Sequence, residues 1–307
     1  MFSYFDSHSH LNLSPLAEEK DKIIKILEEE KIGTITVGTD YETSLAAVTL
    51  TTKSKNLYAC VGLHPTESET FDYEKFKKLA SDPKVVAIGE CGLDYFHLRP
   101  DASPPSPGQP IGNGSAELVP ELYLTSQAVP PASETVPGST LGRGSWRGGE
   151  AGDIKKRQKE NFEKQIALAR ELKKPLMIHC RPSKNSMDAY RDLIEILKSY
   201  PGVTGNSHFF AGNLEIAKEF LNIGFTLSFA GPITFVPDYD RVIEYAPLEM
   251  LLSETDAPFA APAPYRGKTC YPQYVKEVVR RIAEIKKISL EDTKRELVAN
   301  AKRVFGL

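Results

Sequence analysis

Short runs of β-branched and apolar residues alternate along this chain with longer stretches in which apolar positions recur every three or four residues. The runs at 4–8, 34–38, 57–63, 85–89, 176–180, 205–209, 226–229 and 250–254 predict eight strands. The stretches at 16–31, 41–53, 73–81, 154–173, 187–200, 213–222, 239–245 and 274–286 predict the helices between them. Phe162, Ile166, Ala169 and Leu172 form one helical face, and Val275, Val278, Val279, Ile282 and Ile285 form another. A further helix follows Ser289, whose hydroxyl is placed to cap it with Asp292 three residues on. Strands that alternate one for one with helices build a parallel sheet, and eight such units predict an α/β fold, the (β/α)8 TIM barrel.

One segment breaks the pattern. Residues 100–152 hold 9 Pro, 9 Gly and no Lys, so about a third of the segment resists regular structure. It has too few apolar groups to offset its ordering entropy, which predicts a disordered or weakly ordered insertion after strand four. The remaining 254 residues match one barrel, so residues 1–307 are expected to form a single domain interrupted at 100–152.

At 41% hydrophobic and 26% charged residues, the composition supports a sizeable core. The net charge of −3 gives no global attraction for nucleic acid, so a polyanion would have to be held locally. The opening Met1-Phe2-Ser3-Tyr4-Phe5-Asp6 lacks the basic and apolar regions of an export signal, and no apolar run approaches the ~18 residues of a membrane span. A cytoplasmic protein with no membrane partner is expected. Cys60, Cys91, Cys180 and Cys270 lie far apart without metal-binding spacing, which predicts reduced thiols.

The chemistry collects where the predicted strands end. His8 and His10 close strand one, His64 strand three, Glu90 and Asp94 strand four, His179 and Arg181 strand five, His208 strand six, and Glu254 and Asp256 strand eight. In such a barrel those ends converge on the mouth where active sites are built. The i, i+2 spacing of His8 with His10, His179 with Arg181, and Glu254 with Asp256 puts each pair on one side of an extended chain. A lone histidine at a strand end is ordinarily a hydrogen-bonded core residue, but five of the six histidines sit there, leaving His97 as the surface exception. Imidazoles and carboxylates without thiolates suit Zn, Mn or Fe, or Mg where carboxylates and waters dominate. The set is large enough for two ions, which at about 3.5–4 Å separation can hold both the attacking and the leaving oxygen of a displacement.

Six segments carry a resemblance: Asp6-Ser7-His8-Ser9-His10-Leu11, Gly62-Leu63-His64-Pro65, Gly89-Glu90-Cys91-Gly92-Leu93-Asp94-Tyr95, His179-Cys180-Arg181, Ser207-His208-Phe209-Phe210-Ala211-Gly212 and Ser253-Glu254-Thr255-Asp256-Ala257-Pro258. In this order they resemble the TatD family of metal-dependent deoxyribonucleases, within the amidohydrolase superfamily, over 5–98 and 153–306. The resemblance implies that His8, His10, Glu90 and Asp256 hold one divalent ion (Mg, Mn or Zn), and that Glu90, His179 and His208 hold a second. Glu90 would bridge, and Asp256 would orient and deprotonate the attacking water. His64, Arg181, Arg266 and Lys268 would meet substrate phosphate, although the segment Arg266-Gly267-Lys268 reads equally as a solvated loop. The chain departs from the family pattern at Cys270, where Asn is usual, and at Phe209 and Ala211, where Cys and Ser are usual.

The implied activity is an exonuclease-like phosphodiesterase acting on DNA ends. The same activated water could attack a carbonyl carbon, as in a carboxylic ester or amide hydrolase such as a D-aminoacyl-tRNA deacylase. A non-catalytic protein recruiting partners through the insertion is the remaining reading, against which the full ligand set argues.

Overall fold

A computed structural model describes residues 2–98 and 151–307. Apart from its last two residues, the Pro- and Gly-rich insertion lies outside the described residues. Eight parallel strands follow one another around a nearly closed barrel: β1 (Tyr4–Ser9), β2 (Ile32–Val37), β3 (Leu57–Val61), β4 (Val85–Asp94), β5 (Leu176–Arg181), β6 (Gly205–Ser207), β7 (Thr226–Phe229) and β8 (Leu251–Ser253). The order is sequential, and a parallel bridge between Ser9 and Ala257 brings the first and last strands together. At that seam Asp256 N donates to His8 O at 2.9 Å and His10 N to Ala257 O at 2.7 Å. Barrel closure thus sets two ligand-bearing segments from opposite ends of the chain side by side.

The helices are α1 (Leu16–Glu29), α2 (Tyr41–Thr51), α3 (Tyr73–Ala80), α4 (Ala151–Leu172), α5 (Asp188–Lys198), α6 (Leu214–Asn222), α7 (Asp240–Tyr245), α8 (Val275–Lys286) and α9 (Leu290–Phe305). Several start on side-chain caps that satisfy first-turn N–H groups. Asp40 caps α2 in a reciprocal box with Thr43, Asp72 caps α3, Asn213 caps α6 and Ser289 caps α9 through Asp292 N. Helix α4 begins at Ala151, three residues before its predicted start, so its first turn takes in the last two residues counted with the insertion.

Phe5, Ile35, Val37, Cys60, Ala87, Met177 and Leu252 fill one core cluster, to which Val298, Ala301 and Phe305 of α9 belong. The larger apolar layer lies between strands and helices. One helix carries a buried polar face. Gln158, Asn161 and Gln165 of α4 point inward at helical spacing and hold backbone with both ends of their amides. Gln158 accepts from Asp94 N and donates to Asp94 O, each at 2.9 Å, while Gln165 accepts from Leu63 N at 2.8 Å and donates to Leu63 O at 3.0 Å. These bonds fix the chain where β4 ends and where His64 begins.

Strand β4 runs to Asp94, five residues beyond its predicted end, because its outer half pairs with β5 from Cys91–Ile178 to Asp94–Arg181. Glycines permit this close pairing on both sides of Glu90. Gly89 (φ 155°) and Gly92 (φ 132°) occupy backbone conformations rare for other residues, and an added Cβ would run into the carbonyls of Met177 and His179 respectively. Strands β6 and β8 are shorter than predicted, ending at Ser207 and Ser253. The chain leaves the ladder there, and Phe209 and Asp256 take positive φ values of 43° and 58°.

Candidate metal centre

Two register shifts aim the central side chains. The β1–β2 ladder slips between Asp6 and Ser9, and the β4–β5 ladder slips between Ile88 and Cys91. Irregularities of this kind re-aim side chains, and these two bracket His8 and Glu90.

Glu90 stands at the centre, 4% exposed. Its Oε2 lies 3.5 Å from His8 Nε2 and 3.7 Å from His10 Nε2. Asp256 Oδ1 approaches the same two nitrogens at 3.6 and 3.5 Å, and the two nitrogens are 3.1 Å apart. Donors about 2.0–2.2 Å from a tetrahedral ion are about 3.3–3.6 Å from one another, so His8, His10 and Asp256 have close to the spacing of one coordination sphere, and Glu90 Oε2 lies at similar distances from the two imidazoles. His10 Nδ1 lies 3.0 Å from Val37 O, which takes its proton and leaves Nε2 with a lone pair facing the group. His8 Nδ1 is buried without a hydrogen-bond partner.

The other oxygen of Glu90 faces a different set. Oε1 is 2.9 Å from His179 Nδ1, 2.8 Å from His208 Nε2 and 3.4 Å from His64 Nε2. His8 and His208 stack with centroids 3.9 Å apart, joining the two sets. Three overlapping groups of potential metal ligands result: His8, His10 and Asp256; His8, Glu90 and His208; and His64, Glu90 and His179. His8, His10 and His208 are buried, whereas His64, His179 and Asp256 are partly exposed toward the mouth.

Electrostatics follow from this crowding. Burial would raise the Glu90 carboxyl, but the imidazoles of His208, His64 and His179 hold it well below the usual carboxylate range. Burial opposes protonation of His208 and His179, and their carboxylate partners outweigh it, so both imidazoles titrate above 6.5. In His8, burial and the neighbouring His208 prevail and push the ring below 6.5.

A second set of carboxylates supports the histidines. Asp94 Oδ2 is 3.1 Å from His179 Nε2 and 2.8 Å from His97 Nδ1, and its other oxygen accepts from the backbone of Phe96 and His97. Glu254 accepts from Phe209 N at 2.6 Å and Ser228 Oγ at 2.5 Å, with His208 Nδ1 3.5 Å away. Asp6, fully buried, accepts from Thr255 N and Oγ1 at 2.9 and 2.8 Å. The sequence places Asp94 and Glu254 at the strand ends of the mouth without assigning them a role, and Asp6 is passed over. The signal was present in parity: Asp6 lies two residues before His8, Asp94 four after Glu90, and Glu254 two before Asp256. His97 is exposed as expected, yet it joins Asp94.

The four expected substrate contacts divide. His64 is drawn into the cluster beside Glu90, with its Nδ1 2.6 Å from the Thr66 hydroxyl. Arg181 ends β5 with its guanidinium 4.1 Å from the Phe96 ring centre. Arg266 and Lys268 lie on an exposed loop after β8, where Arg266 covers the Phe235 ring at 3.9 Å; among the described residues neither forms an ion pair with the cluster. All four cysteines are free, and Cys60, Cys91 and Cys270 are buried, with burial pushing their thiols up. Among the described residues no helix is long and apolar enough to cross a membrane.

Comparison with known proteins agrees with the geometry. A family model described as TatD related DNase matches residues 5–108 and 147–306, leaving out only the middle of the insertion and the two extreme ends. The chain is 33% identical over 311 residues to the uncharacterized metal-dependent hydrolase YabD of Bacillus subtilis, covering 99% of each. It is 31% identical to the uncharacterized metal-dependent hydrolase MG009 of Mycoplasma genitalium, covering 98% of each. The crystal structure of YjjV, a TatD homologue from Escherichia coli, superposes with a TM-score of 0.74 at 22% identity, over 99% of this chain and 98% of that one. The chain therefore belongs to the TatD family of metal-dependent hydrolases.

Proposed function

We propose that the protein is a deoxyribonuclease that removes nucleotides from DNA ends with two divalent ions held in the barrel mouth. The observation that supports it is the division of Glu90, whose Oε2 faces His8 and His10 while its Oε1 faces His179 and His208. On this reading His8, His10, Glu90 and Asp256 would hold one ion, and Glu90, His179 and His208 would hold the other. The fit rests on donor chemistry: imidazoles and carboxylates suit Zn or Mn, and Mg where waters complete the sphere.

When bound, divalent ions supply Lewis-acid polarisation of a phosphoryl oxygen and acidify water. The protein's own groups do the rest. The Asp256 side chain keeps 16% exposure at the rim, and its carboxylate orients the attacking water and accepts its proton. Asp94 holds His179 in place, and the Glu254 carboxylate lies 3.5 Å from His208 Nδ1. Arg181, stacked on Phe96, offers its N–H groups to a phosphate, and His64 offers a hydrogen bond from beside Glu90. Arg266 and Lys268 serve phosphates farther along the strand. A chain of net charge −3 can act on a polyanion because the ions offset charge at the site itself. The description of the matching family model, TatD related DNase, favours phosphodiester over carboxylic ester.

The test is digestion of end-labelled single- and double-stranded DNA with Mg or Mn. Shortening from one end with release of mononucleotides is expected. Intact DNA with every ion, together with release of the amino acid from a D-aminoacyl-tRNA, would move the assignment to the ester hydrolase.

A further inference from the structure

Among the described residues three large apolar side chains are exposed: Leu45 at 42%, Tyr245 at 51% and Phe259 at 52%. Leu45 lies on α2, and Tyr245, at the end of α7, has Lys218 Nζ 5.2 Å from its ring centre. Phe259 is different in place. It follows Asp256 by three residues, and its ring centre is 6.1 Å from that of His10, edge to face at 70°. An exposed aromatic ring therefore stands directly beside the candidate metal centre.

Its backbone is fixed while its ring is not covered. Phe259 N donates to Asp256 O at 2.8 Å, and Cys270 N donates to Pro258 O at 3.0 Å. Ala261 is 7% exposed, and an added Cβ on Gly231 would run into Ala260 O, so this segment packs tightly on the turn after β7. Two other rings at the strand ends, Phe96 and Phe235, each have a face covered by the guanidinium of Arg181 or Arg266. Phe259 has no such cover among the described residues, and its only ring partner there is His10, whose plane is inclined to it by 70°.

We propose that Phe259 is the stacking platform for the nucleobase next to the scissile phosphate. This rests on the phosphodiesterase reading and gives it a specificity element. A phosphate held at the cluster carries its base one sugar away, and a fixed apolar ring face at the rim is what a base of any sequence would stack on. The platform selects for the presence of a planar base and is indifferent to its identity, because every base has a π-face.

The experiment uses the full chain with Mn and two single-stranded oligodeoxynucleotides carrying 2-aminopurine at the 3′ or 5′ terminal nucleotide. Fluorescence is read by stopped flow before turnover. Wild type is expected to quench the probe at one end; Phe259→Trp and Phe259→Tyr keep the quench, and Phe259→Ala and Phe259→Leu lose it. In steady state Phe259→Ala should raise KM about 5- to 150-fold on a base-bearing end, leave kcat within a few-fold, and leave KM unchanged on an abasic end. The ring is half exposed, so the variants should fold, which circular dichroism checks. Quenching and KM equal to wild type in Phe259→Ala, with DNA still digested, would overturn the platform and leave the nuclease standing. Equal losses on abasic and base-bearing ends would also overturn it, since the ring would then act through His10. Quenching that depends on Phe259 without digestion under any ion would uphold stacking and remove the nuclease assignment, and neither quench nor digestion would remove both.

Discussion

Asp94 and Glu90 grip the His179 imidazole from its two sides, Asp94 Oδ2 at 3.1 Å from Nε2 and Glu90 Oε1 at 2.9 Å from Nδ1. Both carboxylates come from β4, and Asp94 is itself held by Gln158 and His97. The ring is thus oriented by groups that need not touch substrate. Asp94→Asn keeps the shape and halves the acceptor capacity, so metal affinity or turnover should fall about 10- to 100-fold, the usual cost of losing a partner behind a metal-binding histidine. Metal titration with parallel kinetics checks this, and an unchanged affinity and rate would show that Glu90 alone orients the ring.

Glu90→Gln tests the shared carboxylate. An amide presents one oxygen and one N–H₂, so it cannot accept toward both His8–His10 and His179–His208. Elemental analysis of the purified variant should show metal lost from both groups, with helix content retained. Full metal content would rule out sharing.

Asp256 and Arg181 should separate in kinetics. Asp256→Ala removes the group assigned to take the water's proton, and turnover should drop by about 100- to 10,000-fold. Arg181→Ala should raise KM more than it lowers kcat. Arg181→Lys should not rescue it, because an ammonium neither stacks on Phe96 nor offers a planar fork. Rescue by lysine would reduce Arg181 to a point charge.

Much of this was legible before any coordinates. The eight strands and nine helices among the described residues stand where hydrophobic periodicity put them, because barrel strands buried on both faces read as continuous apolar runs. That His8, His10, His179 and His208 lie near the Glu90 carboxylate was legible too, since strand-end position fixes which residues share the mouth. What escaped depended on the third dimension. The outer half of β4 was missed because Glu90, Cys91, Gly92 and Asp94 do not look like a strand until His179 and Arg181 lie beside them. The polar face of α4 was missed because hydrophobic periodicity marks only apolar positions, whereas Gln158, Asn161 and Gln165 are buried by satisfying loop backbone. The insertion, save for residues 151–152, lies outside the described residues.

The last prediction concerns pH and the metal-free chain. His10, His179 and His208 titrate above 6.5 in the fold: burial pulls each down, and the carboxylates of Asp256, Asp94, Glu90 and Glu254 around them outweigh it. Groups with raised values bind protons more tightly folded than unfolded, so the stability they confer is complete below 6.5 and is lost as pH rises through the folded values. Half-buried Glu67, pushed up to about 7 by burial and by Asp40, adds a loss of the same sign between 4.5 and 7. His8 and His64, pushed below 6.5 by burial and by neighbouring imidazoles, act the other way, but only as pH falls below 6.5. Between pH 6.5 and 8.5 the first set prevails, and the urea midpoint of the metal-free protein should decline. Divalent ions reverse the slope, because imidazole binds an ion only after losing its proton, so each rise in pH strengthens binding to the folded chain. Urea melts at the two pH values, with chelator and then with Mn or Zn in excess, check the pair of slopes. A metal-free midpoint that climbs toward pH 8.5 would mean that the histidines are neutral across the whole range and that the carboxylates do not hold their protons.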